Sequence, residues 1–359
     1  MILLAALILA LTGCVLPTQA VDLEGQLWEQ MGTSALEDAA DGTFSVKEGT
    51  NLQKGLGVLA SQASEQVDAV LHSAFRSAGF MLLVVLFCGV GSTLFQSGQS
   101  AMTRTADLIG VTVITLVAVS DTASMLGLGR EAIDQIDAFS KVLIPTMATA
   151  TAACGSVTGA VVRQAATLLF SDLLITLINR VLIPLVYLYI AVTAATAALG
   201  SKGIAAIAGF MKKGVKGVMT AILLVFTGYL TLSGAAAGAA DATALKARMA
   251  ISSMVPVVGG ILSDATETVL TGASAIRSGI GIFGTLVILG FCVVPFLYLG
   301  VQYLVYKLVA MLASVLYQGT ISDLIDQIGA AFGLVLGMLG SCALLVLLSL
   351  IGTISVAMT

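Results

Sequence analysis

The residues with chemical potential in this chain are few, and they are ionisable groups set within apolar sequence. Asp107, Asp121, Asp172 and Arg180 interrupt or border long hydrophobic runs. An unpaired charge there is costly unless water or a partner meets it, so such residues mark functional candidates. Asp107 and Asp121 lie near the ends of their run, where interfacial solvation accounts for them. Asp172 and Arg180 stand eight residues apart, about two helical turns. They share a face as an intramembrane polar pair if one helix continues through Asn179. Other chemistry lacks its residues. No GxxxxGK[ST] phosphate loop, GxSxG elbow or HExxH helix occurs. The single histidine is His72, and the cysteines at Cys14, Cys88, Cys154, Cys292 and Cys342 form no CxxC or Cys/His spacing. No catalytic, cofactor-binding or metal site follows, and the cysteines read as buried apolar residues outside disulfides.

The elements that position these charges must be membrane helices. Of 359 residues, 58% are hydrophobic and 10% charged, and mean hydropathy is +1.05. A soluble core cannot hide that much apolar surface. The 38 glycines suit helices that approach closely through small residues. The pattern lacks the strict alternation of a transmembrane β-barrel. A net charge of -4 excludes the basic surface that nucleic acid needs. The expected fold is all-α and polytopic, with about seven to eight spans of about twenty residues. These are 79–95, 106–126, 142–162, 164–179, 181–200, 218–237, 280–304 and 331–356. The segment 164–179 is short and holds Asp172, so whether it crosses the membrane stays open.

Three regions follow along the chain. Residues 1–20 read as a signal peptide, with Thr18-Gln19-Ala20 at the cleavage site; Leu11-Thr12-Gly13-Cys14 offers lipoprotein processing at Cys14 as the alternative. Residues 21–78 form an acidic extracytoplasmic region. Within it, Leu56, Leu59, Ala63, Val67, Val70 and Ala74 recur at helical spacing over 52–75. Residues 79–359 form the multispan domain. Lys202, Lys212, Lys213 and Lys216 cluster in one loop, which the positive-inside rule places in the cytoplasm. Counting back through five spans puts the N-terminal region outside.

Two stretches pair weakly. Leu143-Ile144-Pro145 precedes Thr158-Gly159-Ala160, and Met254-Val255-Pro256 precedes Thr271-Gly272-Ala273. Paired broken helices build midplane sites in many secondary transporters, which makes a transporter the alternative function. In the second stretch Pro256 breaks a helix, Gly259 and Gly260 permit a turn, and Ser263-Asp264 occupy an N-cap position.

The run from Gly129-Arg130-Glu131-Ala132 through Pro145 to Gly155-Ser156-Val157-Thr158, and the run from Met254 through Pro256, Gly259 and Gly260 to Asp264-Ala265, resemble the stage III sporulation protein AE family. The likeness extends over most of the chain from Gly79 onward. It implies a membrane core subunit of a channel or secretion-like complex linking mother cell and forespore during endospore formation, set in the outer forespore membrane. It further implies partners, namely a separate cytosolic ATPase and ring-forming bitopic membrane proteins, and leaves room for a homo-oligomer. It carries no catalytic residue.

Overall fold

The computed structural model describes residues 52–94, 100–153, 157–252, 259–316 and 320–355. All elements among them are helical. In chain order they are α1 (Leu52–Leu94), α2 (Ser100–Ala153), α3 (Val157–Leu177), a wide π turn (Ile178–Leu182), α4 (Ile183–Leu199), α5 (Lys202–Ser252), α6 (Gly259–Leu316) and α7 (Thr320–Ser355). The protein is thus an all-α, multi-pass membrane protein. The signal-peptide segment, Cys14, Cys154, Gly155 and Pro256 lie outside the described residues.

Among the described residues, six helical stretches are long and apolar enough to cross a bilayer, where the hydropathy pattern suggested about eight. The difference lies at places where a charged stretch looks like a loop. The polar run from Arg130 to Lys141 continues α2 instead of ending it, because Glu, Ala, Gln and Ile there are good or tolerable helix residues and no Gly or Pro intervenes. Asn179-Arg180 likewise continues a single path over Gln164–Leu199. The segment 164–179 is therefore the first part of a longer span. The boundary expected between residues 78 and 79 falls inside α1, which joins the amphipathic stretch to the first apolar one.

Prolines bend this picture less than anticipated. Pro145 sits inside α2 without ending it, and Pro295 sits inside α6. α6 begins at Gly259, so Gly260 lies in its first turn and Asp264 in its second. Ser263-Asp264 is consequently helix interior and not an N-cap. The unbroken course of α2 past Pro145 also removes the first broken helix of the weak repeat.

The π turn has a local cause. Pro184 stands at the start of α4 and cannot donate a backbone hydrogen bond, while the N–H of Ile183 reaches back five residues to the carbonyl of Ile178. One extra residue is accommodated, the usual form of a π bulge. α4 ends at Gly200, whose φ of 66° is left-handed and whose N–H bonds the Thr196 carbonyl at 2.8 Å. Glycine takes this conformation without steric cost, so two residues suffice to reverse the chain into α5.

Packing fixes the up-and-down order. α7 contacts α2, α3, α4, α5 and α6, while α1 packs on α6 and α2. Along α7, Gly329, Gly333 and Gly340 receive Tyr306, Tyr303 and Phe296 of α6. A β-carbon at Gly329 would stand 3.0 Å from that of Tyr306, with the backbone N of Lys307 at 3.7 Å. The glycine ridge lets two apolar helices approach to near backbone contact, which is how association gains packing energy when lipid removes the hydrophobic drive. Within the apolar interior, the hydroxyls of Thr167 on α3 and Ser349 on α7 share a 2.6 Å hydrogen bond.

Candidate functional site

Two polar layers cross this apolar bundle. The first lies at the end where α4 turns into α5 and α7 begins. There Asp121 of α2 accepts hydrogen bonds on one carboxylate oxygen from the Tyr306 hydroxyl at 2.9 Å and the Gln302 side-chain amide at 3.1 Å, both on α6. Tyr306 is fully buried and stacks edge-on against Phe332 of α7, with ring centroids 4.9 Å apart. One residue beyond Tyr306, Lys307 pairs with Asp326 of α7 at 2.5 Å. Lys202 and Asp323 line a polar cleft with Thr193, Thr196 and Gln327, which places the α4–α5 turn beside the start of α7. The lysines of α5 and α6 thus gather toward one end of the bundle. The amphipathic Tyr and the ion pair suit a membrane boundary.

The second layer is the more unusual, because its depth is set by α6. Between Arg277 and Lys307 that helix carries 29 residues without a charge. A span needs about twenty of them, so residues 287–297 lie in the hydrocarbon whichever twenty are used. At that level Val287, Gly290, Phe291, Val294 and Pro295 line a cavity of about 260 Å³. Its other walls are Gln62 of α1 and Leu128, Glu131, Ala132 and Gln135 of α2. The side-chain carbonyl oxygen of Gln62 is buried with no hydrogen-bond partner among the described residues. Pro295 also removes the helical partner of the Phe291 carbonyl, which points to a further unpaired acceptor at the same wall. A polar cavity of this size accommodates several waters.

Charges continue outward from this cavity across α2 and α3. Arg130 and Asp134 approach to 3.9 Å, and Lys141 pairs with Asp137 at 2.7 Å. Asn179, in the π turn, donates to Asp134 at 3.1 Å and so ties α3 to α2 at this level. Phe139 fixes the inner side of the same stretch, its ring 6.3 Å from Phe283 and 5.9 Å from Phe291 of α6. Lys141 also lies in the field of Asp172. Both Asp172 and Arg180 are exposed on the outside of the bundle. No ion pair joins them among the described residues; instead they flank the α2 charges as parts of one belt.

Of the residues singled out by sequence, the structure therefore gathers Asp172, Arg180 and the Arg130–Lys141 run, and it gives Asp121 two partners. The Asp107 side chain, Gly155 and Pro256 lie outside the described residues. Pro145 lies one turn past Lys141, and Gly259, Gly260 and Asp264 belong to the far part of α6. Sequence reading missed Gln62, Gln302 and Tyr306. Each is an uncharged polar residue on a helix face, and only the register between helices reveals its partner.

This layered bundle is matched over residues 50–358 by the family model for stage III sporulation protein AE. The chain belongs to the stage III sporulation protein AE family. It is also 24% identical over 276 residues to the stage III sporulation protein AE of Bacillus subtilis (strain 168), covering 76% of this chain and 69% of that protein. No solved structure matches the fold. Membership in this family assigns the chain a role in sporulation, and the family is not named for an enzymatic activity. The family model takes in both polar layers of this member, whereas the first half of the acidic N-terminal region precedes it.

Proposed function

We propose that this stage III sporulation protein AE is the membrane core subunit of a multiprotein channel or secretion-like complex that links mother cell and forespore. Its chemistry is passive: it binds and positions, and a separate cytosolic ATPase supplies energy. It sits in the outer forespore membrane and meets ring-forming bitopic membrane proteins on the far side. The observation that carries this reading is the charged belt at hydrocarbon depth on α2 and α3. Lipid cannot hydrate Arg130, Glu131, Asp134 and Arg180, so that face requires protein or water against it. A subunit enclosed in an assembly supplies both.

Orientation follows from the lysines. Lys202, Lys212, Lys213, Lys216 and Lys307 mark the cytoplasmic end. α1 starts near Leu286 of α6, on contact with Gly55, and runs toward the level where Gly110 meets Cys88 and Ile321. Its beginning therefore lies on the other side, and the acidic N-terminal region is extracytoplasmic.

The test is purification from sporulating cells through a tag on the C-terminus, followed by identification of the proteins recovered. Recovery with a cytosolic ATPase and bitopic ring proteins is the expected result. A lone chain that transports a solute in liposomes overturns it.

A further inference from the structure

The cavity beside Pro295 is lined by three polar side chains, Gln62 of α1 with Glu131 and Gln135 of α2, and by no lysine, arginine or histidine. Each of the three brings an oxygen acceptor. The Gln62 side-chain carbonyl is buried and meets no donor among the described residues. Pro295 leaves the Phe291 carbonyl of the same wall without its helical N–H. Glu131 makes no ion pair among the described residues, since its neighbour Arg130 approaches Asp134 instead, at 3.9 Å. Among the lining side chains only the two carboxamide groups can donate. The wall thus holds an excess of acceptors and one uncompensated negative charge, at a depth where such a charge is costly.

Water alone does not resolve that excess, because each molecule brings as many acceptor sites as donors and no charge. A proton on Glu131 would cancel the charge but offers one donor to a wall with three further acceptors. A cation answers both needs. The available ligands are hard oxygens with no sulfur or imidazole among them, which disfavours a transition metal. A single carboxylate balances one positive charge and would leave Ca²⁺ or Mg²⁺ half compensated. The volume of about 260 Å³ admits an ion that keeps part of its water shell.

We propose that this mid-depth cavity binds one monovalent alkali cation, held by the Glu131 carboxylate together with the side-chain oxygens of Gln62 and Gln135 and the Phe291 carbonyl. The ion ties α1 and α2 to α6 at the proline of the longest helix. This goes beyond the proposed place in a sporulation complex and does not depend on it.

The test uses the full chain, made in a host that does not sporulate and purified in mild detergent with choline as the only other cation. The probe is radioactive rubidium, a stand-in for potassium, and the readout is the amount bound per chain. The expected result is saturable binding of about one ion per chain, as one carboxylate implies, displaced by excess K⁺ or Na⁺ and not by choline. Glu131→Gln keeps the shape of the wall and removes its charge, and should weaken binding about tenfold or more, the scale of one lost contact to a charged group. Asp68→Asn, at an exposed carboxylate farther along α1, should leave it unchanged. Absence of saturable binding overturns the proposal and favours a protonated Glu131. Unaltered binding in Glu131→Gln overturns it too, as does displacement by Ca²⁺ or Mg²⁺ at lower concentration than by K⁺ or Na⁺. Should Glu131→Gln fail to fold, Gln135→Leu, at an exposed position of the same wall, decides: weakened binding supports the site and undiminished binding overturns it. Because no other sporulation protein is present, failure here leaves complex membership untouched.

Discussion

At the scale of single residues, Asp121 shows what partners do for a carboxylate near a membrane boundary. Two donors, one of them the fully buried Tyr306, hold the same oxygen. Hydrogen bonds to charged groups are worth about 1.5–3 kcal/mol, and Tyr306→Phe removes one while keeping the ring against Phe332. We expect a loss in that range, read as a lowered melting temperature in detergent. Lys307–Asp326 should behave differently, since its side chains are 31% and 47% exposed. Asp326→Asn is expected to cost less than about 1 kcal/mol by the same measurement, as for exposed ion pairs generally. Asp121 was visible in the sequence as a charge inside an apolar run. Gln302 and Tyr306 were not, because nothing in α6 read alone says which residues face α2.

At the scale of elements, the helices are held apart or together by glycine. Gly329→Ala would drive a β-carbon against Tyr306, whose own β-carbon is part of the helix wall and cannot rotate away. Overpacking of this sort costs about 1–3 kcal/mol. Gly300→Ala, in α6 with nothing within 4 Å of the added atom, is the matched comparison. It should be neutral or stabilising by up to about 1 kcal/mol through helix propensity. A thermal melt of both variants separates close approach from a general effect of glycine loss. Helix type and most apolar runs were legible from composition and periodicity. The joins were less so, because hydropathy scores the Arg130–Lys141 run as a loop although every residue in it favours or accepts helix. The end of the span at Gly200 was legible, although its left-handed cap emerged only from the backbone. The π turn was hidden, as it depends on where Pro184 withholds its donor.

At the scale of the whole molecule, the lysine-bearing end and the start of α1 lie on opposite sides of the bundle. A cysteine at Lys212 should be labelled by an impermeant maleimide only after the membrane is opened from the cytoplasmic side. One at Gln53 should be labelled in intact cells. Reversed labelling would invert the topology, and with it the side on which partners are sought. The lysine cluster that suggests this orientation is visible in the sequence alone. It did not yield the depth of the charged belt, which emerged only when α6, uncharged over its whole central run, was seen lying level with Glu131 and Gln135.

α6 runs for 58 residues, about 87 Å at 1.5 Å per residue, against a hydrocarbon layer of about 30 Å. Such a rod carries force as well as position. A push or twist delivered at one end, near Gly259, travels to Leu316 at the other with no loop to absorb it. Its one weakened joint is Pro295, where a backbone bond is missing, and that joint borders the mid-depth cavity. Mechanical load applied at the Gly259 end would therefore be taken up at the cavity wall, making the polar layer the compliant part of an otherwise stiff transmission.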